Sequence, residues 1–147
     1  MSVFGILFYV SLPIGLWIAA AFLWTIGSPY PITTDTAMVA GGFAIITCPF
    51  WIILVIYLAK TLVPRLDSLA EPELTDSRRY STNWMTKFMA LNVYSANLVS
   101  SRARRKYNLP IDLREQPGAV RLALRVHVYW MFGINLTLLI GFLLMPT

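Results

Sequence analysis

Apolar residues gather in three uninterrupted runs, 3–26, 36–59 and 126–145, each 20 to 24 residues long and without Asp, Glu, Lys or Arg. A helix rises about 1.5 Å per residue, so about 20 residues cross a hydrocarbon core about 30 Å thick. The pattern predicts an all-α integral membrane protein with three transmembrane helices, organised as one membrane domain. Ala19-Ala20-Ala21 has the look of a signal-peptide cleavage site. No Lys or Arg precedes the run, however, and it continues through Phe22, Leu23 and Trp24, so the first helix is expected to stay.

Between the second and third runs the pattern changes. Pro64 is expected to end the second helix, because a proline ring clashes with the preceding turn. Asp67, Glu71, Glu73 and Asp76, broken by Pro72, read as a solvated acidic loop; a calcium loop would need a glycine and a more regular ligand spacing. From about 77 to 102, Trp84, Phe88, Leu91 and Leu98 recur at helical intervals with Met85 alongside and polar residues between them. This predicts an amphipathic helix lying in the headgroup layer or docked on a partner, too polar for a fourth span. Pro117 suits the first turn of a helix, so the third helix is expected to start near 117, nine residues before its apolar run.

Composition narrows the class. Apolar and aromatic residues make up 57% of the 147, and charged residues only 13%. Soluble domains carry roughly a quarter charged residues, and disordered chains are far less apolar. All twelve Lys and Arg fall within 60–125 together with six of the seven acids, leaving that segment at +6 and Asp35 as the one charge elsewhere. Cations are retained on the cytoplasmic side, which predicts the N-terminus inside, the 27–35 link outside and the C-terminus outside. Tyr57, Tyr129 and Trp130 then fall at the inner ends, and Trp24 and Tyr30 at the outer end. The arrangement fits a bacterial inner membrane. One of Thr33, Thr34 and Asp35 is expected to cap the second helix.

Arg102, Arg104, Arg105 and Lys106 put four cations into five residues, and beside a membrane each is attracted to anionic lipid by about 1 kcal/mol. With Trp84 and Phe88, and with Arg121 and Arg125 one turn apart at the start of the third helix, they form the expected lipid- or partner-binding set. The same charges also enforce topology. No nucleic-acid-binding motif accompanies them, so no nucleic acid is expected.

The inventory for catalysis is thin. Cys48 is the single cysteine, mid-span beside Pro49, and reads as a packing residue. His127 is the single histidine, expected at the interface against headgroups or water; a haem held by two histidines would need a second from a partner chain. No catalytic residue, metal site or cofactor is expected.

Packing signals are clearer. Gly133, Thr137 and Gly141 are spaced by four along the third helix, the spacing at which small residues let two backbones approach. Ser11, Gly15 and Ala19 form a similar line on the first helix, and Ala40, Ala44 and Cys48 on the second. Asn135 is expected to turn its amide toward another helix. Pro13 and Pro49 are expected to kink their spans. Together these features predict a small non-catalytic accessory, assembly or scaffolding subunit among other integral membrane subunits. The alternatives are a protomer of an oligomeric transporter or channel, and a redox or quinone-site subunit using His127.

Overall fold

The computed structural model describes residues 2–70 and 83–145, and the described residues form helices without strands. Among the described residues five helices follow in order: α1 (Val3–Gly27), α2 (Ile32–Ala70), α3 (Trp84–Val99), α4 (Ser101–Tyr107) and α5 (Gly118–Leu144). Of these, α1, α2 and α5 are long and apolar enough to cross a membrane. The packing resolves into two compact units, one built from Ile53–Val128, the other from Phe4–Ile52 and the chain from Tyr129 onward.

In the second of these units α1 and the first half of α2 form an antiparallel hairpin. The Trp17 indole donates to the Val39 carbonyl at 2.9 Å and meets the Phe43 ring edge-on. The Tyr9 hydroxyl donates to the Phe50 carbonyl at 2.9 Å, and its ring sits edge-on to both Phe50 and Trp130. The four-residue link between the helices is tied by side chains. Asp35 accepts from the Ser28 hydroxyl and, at 3.0 Å, from the Trp24 indole, while Trp24 and Tyr30 stack with rings 5° from parallel. None of the three expected residues caps α2. The helix begins earlier, at Ile32, with the Pro31 carbonyl accepting the Asp35 N–H, and Asp35 serves the link instead. A carboxylate in the first turn also complements the positive end of the helix dipole.

In the other unit α2 runs on to Ala70 and does not stop at Pro64. The reason is a stripe of paired positions, Leu54, Val55, Leu58, Ala59, Leu62, Val63, Leu66 and Asp67, all buried and recurring every fourth residue on both sides of the proline. An internal proline costs a helix about 3 kcal/mol. Each fully buried Leu or Val returns about 1.5 to 3 kcal/mol, so packing on either side outweighs the local cost. Asp67 therefore belongs to a helix and is buried, not part of a solvated loop; Glu71, Pro72, Glu73 and Asp76 lie outside the described residues.

Two capping residues set the next elements. Asn83 accepts the Met85 N–H at 3.0 Å and starts α3. Ser100, in extended conformation, ends α3 by donating its N–H to Ala96 and starts α4 by accepting the Ala103 N–H on its hydroxyl. The helix expected over about 77–102 is thus divided at Ser100, and residues 77–82 lie outside the described ones. α4 ends at Asn108 in the left-handed conformation, a position Asn tolerates better than most residues. The Pro117 carbonyl accepts from Val120 and Arg121 and opens α5.

Candidate functional site

Two polar pairs lie among the buried residues of Ile53–Val128. α3 buries Leu91, Tyr94, Ser95 and Leu98, one helical face. Tyr94 thereby meets the α2 stripe, and its hydroxyl donates to the Asp67 carboxylate at 2.5 Å. One residue in from this face, Asn92 reaches α5, where its side-chain oxygen lies 2.9 Å from His127 Nε2. With that oxygen facing it, Nε2 is the donor. Phe88, one turn before Asn92, meets the His127 ring edge-on.

His127 is 0% exposed, which corrects the expectation of an interfacial histidine open to headgroups or water. Its neighbour Arg125 is indeed exposed. Two positions are about 200° apart around a helix, so proximity to an exposed arginine in sequence places His127 on the opposite, buried side with Ala123, Leu124 and Val128. Ligation of a haem through Nε2 would require breaking the bond to Asn92.

Beside the Asp67–Tyr94 pair opens a groove of about 500 Å³ between α2, α3, the end of α4 and the residues that follow it. Its walls are mainly apolar, from Val63, Met85, Met89 and Leu109, with Asp67 and Lys87 as charged members. The shape and lining suit an amphiphile. The local sequence does not mark this site, since Pro64 and the acids after it read as a loop and nothing near Tyr94 singles it out. The available signal was the paired apolar stripe continuing past Pro64 to Asp67.

The expected basic set divides by role. Arg102, Arg105 and Lys106 are exposed on α4, as are Arg125 and Trp84. Arg104 is half-buried and donates to the Asn97 and Leu98 carbonyls at 3.4 and 3.3 Å, closing the C-terminal end of α3. Phe88 is half-buried between Trp84, on which it stacks, and His127. Arg121 is half-buried in the first turn of α5. Lys106 lies over the Tyr107 ring at 5.4 Å.

The small residues of α5 are used inside the chain. A Cβ at Gly141 would sit 3.5 Å from the Ala37 carbonyl oxygen and 3.7 Å from the Gly41 nitrogen, so the backbones of α5 and α2 approach closely there. At Gly133 the nearest atom is the Phe43 ring, at 3.9 Å. Thr137 donates back to the Gly133 carbonyl. Asn135 is exposed on this chain, and its amide donates to the Met131 carbonyl of its own helix at 2.7 Å. Ser11, Gly15 and Ala19 are all exposed, with nothing near a Cβ at Gly15. Among the described residues no three His, Cys, Asp or Glu side chains converge as a metal site. No family model matches the chain, and no curated protein or solved structure matches it.

Proposed function

We propose that this protein is a small accessory or scaffolding subunit of a larger membrane complex, non-catalytic in itself. The observation that carries the reading is the outward line of Ser11, Gly15 and Ala19 on α1, left uncovered while the comparable face of α5 is closed by α2. In a bilayer such a face favours close packing with a helix of another subunit. The polar pairs Asp67–Tyr94 and Asn92–His127 join helices of this chain, which supports a structural use of the polar side chains. In this reading the N-terminus and the basic segment are cytoplasmic, the C-terminus is external, and the membrane is a bacterial inner membrane. The exposed cations of α4 hold anionic headgroups.

Extraction of the tagged protein in mild detergent, followed by native mass determination and a visible spectrum, tests it. The expected result is a stoichiometric complex with other membrane proteins that Gly15→Leu disperses without unfolding the chain, since a Cβ added at Gly15 meets no other part of the chain within 4 Å. A homo-oligomer alone would replace the reading with an oligomeric pore. A haem band lost in His127→Ala would replace it with the redox subunit.

A further inference from the structure

We propose that the groove beside Asp67 is a binding site for phosphatidylethanolamine, a lipid with a primary ammonium and a phosphate. Two opposite charges line this one groove. Asp67 is only 6% exposed, holds the Tyr94 hydroxyl and still faces the groove. Lys87, half-buried, lines it from α3. A buried carboxylate is costly unless a cation or several donors compensate it. A primary ammonium supplies both, a charge and N–H donors, where a quaternary ammonium supplies the charge alone.

The neighbouring phosphate, a few bonds away in the same headgroup, is the matching anion for Lys87. Met85, Met89 and Leu109 provide apolar wall for the glycerol end of an acyl chain. Thioether side chains adapt to such irregular apolar matter. Depth agrees with this occupant: Val63 and Asp67 follow the last residue of the apolar run, Ala59, by one and two helical turns, near the headgroup layer. A lipid bearing only negative charge would set an anion against Asp67. The site is thus distinct from the exposed cations of α4, which attract net negative charge, and it does not depend on the accessory-subunit reading.

Binding of short-chain phosphatidylethanolamine, phosphatidylcholine and phosphatidylglycerol with identical acyl chains to the full-length protein in detergent, followed by calorimetry or native mass spectrometry, tests the site. Phosphatidylethanolamine is expected to bind about tenfold or more tightly than phosphatidylcholine, the size of one charge-assisted hydrogen bond. Asp67→Asn keeps an acceptor for Tyr94 and is expected to abolish that preference. Lys87→Gln, at a half-buried position, is expected to weaken phosphatidylethanolamine and phosphatidylcholine alike while the preference between them survives. Equal binding of these two lipids to the unaltered protein overturns the proposal, as does a preference between them that persists in Asp67→Asn. If Asp67→Asn does not fold, the comparison of lipids on the unaltered protein and on Lys87→Gln decides alone.

Discussion

Ser95 is fully buried on α3, and its hydroxyl has no hydrogen-bond partner among the described residues. A buried unsatisfied hydroxyl costs about 1 to 3 kcal/mol, so Ser95→Ala is expected to leave thermal stability in detergent unchanged or to raise it. Asn92 is the opposite case. Its oxygen accepts from the buried His127 ring, and Asn92→Ala removes that acceptor, with an expected loss of about 1 to 3 kcal/mol read from the same unfolding curves. A fall in stability for Ser95→Ala, or none for Asn92→Ala, would show that these two side chains are not partnered as described. Single residues were the least legible level of this sequence. His127 and Asn92 are 35 positions apart, and nothing local in either segment marks the other. Asn135 is ambiguous for a related reason: an asparagine on a helix has its own backbone as a hydrogen-bond partner, here Met131, so its amide does not by itself name a neighbour.

Elements were far more legible, because hydrophobic run length and periodicity are local. The three apolar runs correspond to α1, α2 and α5, and Pro117 stands one residue before α5 begins. Pro64 does not end α2 because the buried stripe continues on both sides of it. Its consequence is measurable. Pro64→Ala restores the hydrogen bond a proline lacks and is expected to raise the unfolding temperature, whereas Leu66→Ala, which hollows the stripe just beyond, is expected to cost about 2 to 5 kcal/mol. A Leu66→Ala protein as stable as the parent would mean that α2 ends before Leu66. The break at Ser100 was hidden because Ser100 and Ser101 interrupt no apolar period. Only the cap itself, with Arg104 reaching back to the carbonyls of Asn97 and Leu98, reveals two helices.

On the scale of the molecule, the close approach of α5 to α2 makes Gly141 sensitive to size. A Cβ there makes ordinary contact at 3.5 Å, so Gly141→Ala is expected to be tolerated, while Gly141→Leu forces the backbones apart at an expected cost of about 1 to 3 kcal/mol or more. Leu138→Ala, on the exposed side, is the control. Similar melting of Gly141→Leu and Leu138→Ala would remove the role of that contact. The proposed orientation has its own check. In a Cys48→Ser background, a membrane-impermeant maleimide added to intact cells is expected to label Tyr30→Cys and not Arg105→Cys; the reverse pattern would invert the topology. The link tied by Asp35 bears on how that topology arises. Four residues, knotted by Trp24, Ser28 and Asp35, leave no slack for α1 to turn over while α2 stays in place. In the proposed topology the first two spans are therefore committed together: they are expected to enter the bilayer as one pair, and reversing either would haul both, together with the lone carboxylate at their tip, back through oil.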